Sequence, residues 1–319
     1  MLRRDFIAPG APTRASLNDQ EEQANMAISK VGVVGCGLMG HGISQICAQA
    51  GWDVVVREAD QDALDKGIGK IEKQLGRAVE KGKMEQSEAD AVRGRITPTL
   101  DYAELADCDL VIEAITEDLD HKLEMWRELD GIVKDDAYLA TNTSSLPVAA
   151  QADATKRPER MIGLHFFNPP QVMPLLEVVR AEKSADDSVD LGFELGETLG
   201  KTTVAARDNR GFIVNRLLVP YMLDAMRAHE QGVGSIQDID TGMMAGASHP
   251  MGPLTLADFV GLDTLAAIAD VMVDAYGEER FAAPETLKKM VAAGDFGRKS
   301  GRGFYDYSGD QPVPVDAGT

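Results

Sequence analysis

The sequence predicts a doubly wound α/β domain followed by an all-helical one. Three observations carry this. Short apolar runs alternate with helical patterns through the first part of the chain, the glycine cluster Gly35-Cys-Gly37-Leu-Met-Gly40 joins the first run to the first helix, and beyond about residue 208 helical stretches follow one another. Alternating βαβ units build a parallel sheet with helices on both faces and right-handed crossovers.

Residues 1–26 contain Pro9, Gly10, Pro12, Asn18 and Asp19 without apolar periodicity, and are expected to be a disordered tail. Met26 is a candidate start of the folded chain. A targeting peptide is an alternative reading of the tail's arginines, diluted by its acids. The run VGVV at 31–34 reads as a strand, 38–50 as a helix, 53–57 with three consecutive valines as a second strand, and 61–81 as a charged amphipathic helix. A buried strand at 109–115, a helix at 118–133 and a short strand at 137–141 continue the alternation. The dinucleotide-type domain is thus expected over 27–208. Helical stretches at 212–231, 236–245, 254–276 and 284–293 make a second domain over 209–307, with Ser235 and Asp238 spaced as an N-terminal capping box. Residues 308–319, with Gly309, Pro312 and Pro314, are expected to be a flexible tail.

The 319 residues carry 32 Lys+Arg against 52 Asp+Glu, a formal charge of −20. Such a surface repels a nucleic-acid backbone, so any anionic ligand needs a local exception to the acidity. Three cysteines without a CxxC pair do not form a disulfide framework, and no metal-ligand spacing is present. No apolar run approaches the roughly 20 residues of a membrane span. The expected setting is cytoplasmic.

The glycine cluster fits GxGxxG, and its place between a strand and a helix gives the match weight. Gly35 suits the tight turn, Gly37 lets backbone approach a pyrophosphate, and Gly40 lets helix and strand pack closely. The helix N-terminus offers N–H groups and a positive dipole end to the phosphates. This is the Rossmann-type arrangement. Glu58, 23 residues after Gly35 and closing the second strand, suits the adenosine ribose hydroxyls and favours NAD, whereas Arg57 beside it leaves NADP open.

Among five histidines, His165 stands apart. It ends the apolar run of MIGLHFFNPP, where doubly wound sheets place ligands. Twelve residues on, Glu177 interrupts an apolar strand, a costly place for an unpaired carboxylate. Neighbouring strands bringing the two together leave one imidazole nitrogen oriented and the other free to take a hydroxyl proton. A purely structural His–Glu pair fits the same spacing.

The stretches VGVVGCGLMGHGI, DLVIEAITED, NTSSLPV, GLHFFNPPQVMPLLEVV, GFIVNRLLVPYMLDAM, HPMGPLTLADFVGLDT and FGRKSGRGFYDY together resemble the L-3-hydroxyacyl-CoA dehydrogenase family over 31–307. The resemblance implies His165 as general base, Glu177 as its orienting partner, and Ser144 and Asn215 as substrate contacts. It implies that Gly35, Gly37, Leu38, Met39, Gly40, Glu58, Ala114, Ile115, Glu117, Lys122, Asn142, Ser144, Asn168 and Lys299 hold the cofactor. Where family members offer a serine and a lysine to CoA, this chain has Gln74 and Lys81, with Lys83 nearby; the missing serine is a departure. Lys81, Lys83, Lys122 and Lys299 are the expected basic exceptions, so the acidity is expected to belong to the surface rather than the cleft. The implied reaction is reversible hydride transfer between NAD and the C3 hydroxyl of a short-chain L-3-hydroxyacyl-CoA. An L-gulonate dehydrogenase-like sugar-acid oxidation, a hydroxyisobutyrate-type dehydrogenase with a lysine base, and a non-catalytic NAD-binding protein remain as alternatives. The apolar faces of 212–226 and 254–273 exceed what one short bundle buries, so a homodimer through the helical domain is expected.

Overall fold

The computed structural model describes residues 28–315; the expected N-terminal tail, residues 1–26, lies outside the described residues. The elements run β1 (Lys30–Val34), α1 (Gly40–Gln49), β2 (Asp53–Arg57), α2 (Gln61–Glu80), α3 (Gln86–Gly94), β3 (Ile96–Thr99), β4 (Leu110–Glu113), α4 (Leu119–Asp130), β5 (Tyr138–Thr141), α5 (Val148–Ala152), β6 (Met161–Phe166), β7 (Leu175–Arg180), α6 (Asp186–Thr198) and β8 (Thr202–Arg207). These strands form one eight-stranded sheet in the order β3-β2-β1-β4-β5-β6-β7-β8. Helices follow: α7 (Val214–Glu230), α8 (Ile236–Ala247), α9 (Pro253–Val260), α10 (Leu262–Tyr276) and α11 (Glu285–Ala293), then the short hairpin β9 (Tyr305–Asp306) and β10 (Val313–Pro314). No helix among the described residues is long and apolar enough to cross a membrane.

Both sheet faces are packed, and the period of two in the strands sorts the side chains. Val31, Val33, Val54, Val56, Leu110 and Ile112 face the layer built by α1, α2, α3 and α6. Val34, Val55, Val111 and Leu139 face Met125, Trp126 and Leu129 of α4. A second core, led by Leu223, Met226, Leu254, Leu265, Met272 and Phe281, lies within the helical part.

Four expectations are revised. The sheet is not wholly parallel: β7 runs antiparallel to β6, because the short loop 167–174 has no room for the crossover that a parallel neighbour requires. The helix expected over 254–276 breaks at Gly261 into α9 and α10. The elements α3, β3, α6 and β8 are additions; Pro98 hides β3 in the sequence, and is tolerated because β3 is an edge strand. The tail expected to be flexible from 308 folds back, with Val313 and Pro314 pairing to Asp306 and Tyr305 and the Val315 N–H donating to the Phe304 carbonyl. Residues 316–319 lie outside the described residues.

At the start of the first βαβ unit, a methyl on Gly40 would sit 1.8 Å from the Gly35 carbonyl oxygen, so only glycine lets α1 begin that close to β1. Asp109, just before β4, fixes the entry to the sheet. Its Oδ2 accepts from Ser29 N, Ser29 Oγ and Lys30 N at 2.7–2.9 Å, and its Oδ1 accepts from Lys134 Nζ at 2.5 Å. Burial alone would raise this carboxyl, but the Lys134 ammonium and the Ser29 and Lys30 donors hold it down to about 2, against an ordinary 3.8. A depressed folded-state pKa stabilises above the unfolded value and loses that contribution as pH falls through the folded one. In urea titrations, Asp109→Asn is therefore expected to be less stable than the parent chain at neutral pH. That gap should close as pH falls below the ordinary carboxylate range toward 2; a gap independent of pH would contradict this account.

Candidate active site

The carboxyl ends of β1, β2, β4, β5 and β6 open into a cavity of about 1110 Å³ whose far wall is helical. The glycine turn supplies Gly35, Gly37, Leu38 and Met39, β2 ends in Arg57 with Glu58 directly after it, and β4 leads into Ala114, Ile115 and Glu117. Asn142 and Ser144 follow β5, and His165 and Asn168 lie at and beyond the end of β6. Val214, Asn215 and Leu218 of α7, with Leu256, Phe259 and Val260 of α9 and Ile268 of α10, close the other side.

Antiparallel pairing of β6 and β7 sets His165 directly opposite Glu177. His165 Nδ1 lies 2.6 Å from Glu177 Oε2. A carboxylate only accepts, so Nδ1 carries the proton, and in the neutral imidazole Nε2 then keeps its lone pair. Glu177 is fully buried, and its other oxygen accepts from the Ile213 and Val214 N–H groups at 3.1 and 3.0 Å, at the N-terminus of α7. Phe167 and Phe212 flank the imidazole, with ring centroids 4.5 and 5.4 Å away.

A second network, buried at Lys122 and Glu113 and open to the cavity at Glu117, holds another part of the wall. Lys122 Nζ lies 2.6 Å from Glu113 Oε1 and 3.0 Å from Glu117 Oε2, with Lys122 only 1 % exposed. Glu113 also accepts from Ile115 N and Thr141 Oγ1. Glu117 Oε1 accepts from Thr143 Oγ1 at 2.5 Å and from Ser144 N at 2.9 Å. Burial works to raise the Glu117 carboxyl, but Lys122 and these donors outweigh it and hold it below the usual range. Glu117 and Lys122 are among the residues expected from the sequence; Glu113 is not. The signal was available, because Glu113 ends the apolar run LVIE much as Glu177 interrupts LLEVV.

Of the residues singled out in the sequence, Gly35, Gly37, Leu38, Met39, Arg57, Glu58, Ala114, Ile115, Glu117, Lys122, Asn142, Ser144, His165, Asn168 and Asn215 line the cavity. Glu177 stands behind His165, and Gly40 behind the glycine turn. Lys299 does not line it; its ammonium pairs with Asp263 at 2.5 Å. Lys81 and Lys83 are exposed at the end of α2, away from the cavity lining, and Gln74 turns inward to Gln171. The expectation of a basic cleft in an acidic surface is therefore corrected. Glu58, Glu117, Glu124 and Glu128 all line the cavity, and its one lysine, Lys122, is already neutralised by two carboxylates. Among the described residues the wall carries more acids than bases, and with Lys122 paired and Arg57 held by Tyr102 and Leu100 the backbone N–H groups of the glycine turn are left as the anion donors.

The residues fit a dinucleotide. A Cβ added to Gly37 meets nothing within 4 Å, so the turn leaves open space where a phosphate would sit, and no side chain caps α1. Glu58 Oε2 accepts from Cys36 N and Oε1 from Ala59 N, both at 2.7 Å, which fixes the carboxylate at the end of β2 with lone pairs to spare for ribose hydroxyls. Arg57 stacks on Tyr102, 3.8 Å from the ring centroid, and donates to the Leu100 carbonyl.

A glycine turn on a doubly wound sheet, facing an imidazole oriented by a buried carboxylate, defines a dinucleotide-dependent oxidoreductase. Residues 30–209 match the NAD-binding domain of 3-hydroxyacyl-CoA dehydrogenase, and 211–307 match that family's C-terminal domain. The chain is 48% identical to a 3-hydroxybutyryl-CoA dehydrogenase of Mycobacterium tuberculosis over 88% of this chain and 99% of that one. It is 41% identical to one of Clostridioides difficile over 88% and 99%. It superposes on the solved (S)-3-hydroxybutyryl-CoA dehydrogenase of Ralstonia eutropha with a TM-score of 0.84 at 38% identity, covering 89% of this chain and 100% of that one. The chain belongs to the 3-hydroxyacyl-CoA dehydrogenase family, as an NAD-dependent oxidoreductase.

The pairing itself can be tested. In Glu177→Gln the amide oxygen still accepts from α7, but the amide nitrogen donates to His165 Nδ1 and moves the ring proton to Nε2. The expected result is a fall in kcat of about 10²- to 10⁴-fold with NADH affinity retained; a kcat within a few-fold of the parent would contradict the assignment.

Proposed function

We propose that the protein interconverts L-3-hydroxybutyryl-CoA and acetoacetyl-CoA with NAD. The observation that carries this reading is the His165–Glu177 pair at the cavity wall, with Nε2 free and the glycine turn in the same cavity. Residues 27–208 hold the dinucleotide, and 209–307 close over the acyl-CoA. When bound, the dinucleotide supplies a hydride acceptor at nicotinamide C4. His165 Nε2 takes the proton of the C3 hydroxyl as C3 gives up its hydride, and Glu177 stabilises the resulting imidazolium; in reverse, His165 returns the proton to the carbonyl. Ser144 and Asn215 reach the reacting oxygen and thioester from opposite walls, which fixes the approach of C3. Phe167 and Phe212 keep water from the imidazole. Asn168 positions the nicotinamide side, and Glu58 the adenosine ribose. Arg57, engaged by Leu100 and Tyr102, supports NAD over NADP.

The test is oxidation of NADH and NADPH with acetoacetyl-CoA, longer 3-oxoacyl-CoAs and, in the reverse direction, L-gulonate oxidation. Fast turnover of acetoacetyl-CoA with NADH, slower with longer chains and with NADPH, is expected. Turnover of L-gulonate without any CoA thioester would replace this reading, and tight NADH binding without turnover would make the protein a non-catalytic binder.

The protein is further read as a cytoplasmic homodimer. Ile213, Leu217, Val233 and Met244 of the helical part are exposed, which supports self-association through that domain. Cys36, Cys47 and Cys108 are free thiols, consistent with a reducing compartment. Gel filtration is expected to give twice the chain mass; a single-chain species alone would overturn the dimer.

A further inference from the structure

The glycine turn is tied to the loop after β6 by a chain of side chains outside the cavity lining. His41, the second residue of α1, is 6 % exposed, and its Nδ1 lies 2.6 Å from the Gly37 carbonyl oxygen. That oxygen only accepts, so Nδ1 donates. Burial holds the imidazole below its ordinary pKa, so Nε2 is an acceptor. Gln74 Nε2 lies 3.3 Å from it. The Gln74 amide then presents Oε1 to Gln171, whose Nε2 donates at 2.7 Å and also meets Gln45 Oε1 at 3.3 Å. One consistent direction of donation runs from Gln171 through Gln74 and His41 to Gly37, and each group's orientation is determined by its neighbour.

The consequence falls on the next peptide. The Gly37–Leu38 bond is trans, so its carbonyl and the Leu38 N–H point to opposite sides of one plane. With the carbonyl drawn inward to His41, the N–H turns outward. Leu38 lines the cavity, is 64 % exposed, and its N–H donates to no acceptor among the described residues. We propose that His41, held in one tautomer by Gln74 and Gln171, is a positioning residue that aims the Leu38 N–H at the cofactor phosphates. Gln74, which stands where a CoA-contacting serine is expected, thus serves the dinucleotide side. This rests on the reading of the cavity as a dinucleotide site, not on the acyl-CoA substrate.

Two near-isosteric substitutions separate the donors. In His41→Asn the amide nitrogen takes the place of Nδ1 and keeps the Gly37 contact; in His41→Gln it takes the place of Nε2 and loses it. NADH binding followed by fluorescence titration, with melting temperatures alongside, is expected to show His41→Asn close to the parent and His41→Gln roughly fivefold weaker. Gln74→Leu, which leaves the imidazole in place, is expected to raise KM for NADH more than it lowers kcat. Equal affinities for the Asn and Gln variants, or an unchanged KM for NADH in Gln74→Leu, would overturn the proposal. A parent enzyme that binds NADH but does not turn over acetoacetyl-CoA would instead remove the substrate reading and leave this one standing.

Discussion

The site depends on one buried carboxylate that serves two domains. Glu177 has no exposed surface, so its charge is tolerable only if its lone pairs are taken. One oxygen faces His165 across the β6–β7 ladder, and the other receives two backbone N–H groups from the start of α7. The positive end of the helix adds a favourable field. Orienting the imidazole and docking the helical domain are thus the same interaction. The turn that delivers those N–H groups includes Phe212 at φ 47, a left-handed conformation that costs a non-glycine residue of order 1–3 kcal/mol. That cost is offset by what the turn achieves, because it also lays the Phe212 ring beside His165 and aims the following residues, among them Asn215, into the cavity.

The second constraint is electrostatic. A chain of charge −20 takes a dinucleotide without a basic cleft, since acids outnumber bases along the cavity and Lys122 is internally neutralised. Lys122 instead binds Glu113 and Glu117, and Glu117 in turn gathers Thr143, Ser144 and Ser145. The serine loop is held by a lysine it does not touch. Anion recognition then falls to backbone dipoles, which need geometry rather than net charge.

Much of this was legible in the sequence because it rests on local patterns. The glycine turn, the strand end at His165 and the carboxylate inside LLEVV each break a local periodicity, which marks them in the sequence. What stayed hidden depends on contacts between distant segments. The reversal of β7 follows from a short loop rather than from any residue type, and β3 and β8 are edge strands with weak patterns. The surroundings of the lysines were equally hidden: Lys81 and Lys83 stand exposed at the end of α2, and Lys299 pairs with Asp263. The partners of Gln74, His41 and Gln171, lie 33 and 97 residues away, so no local pattern reveals them.

The central claim is that Glu177 fixes the ring proton of His165 on Nδ1 and leaves Nε2 as the base. Nitrogen NMR of histidine-labelled protein above neutral pH reads this directly. The account predicts a protonated Nδ1 and a bare Nε2 for His165; a proton on Nε2, or a mixture of the two tautomers, would contradict it.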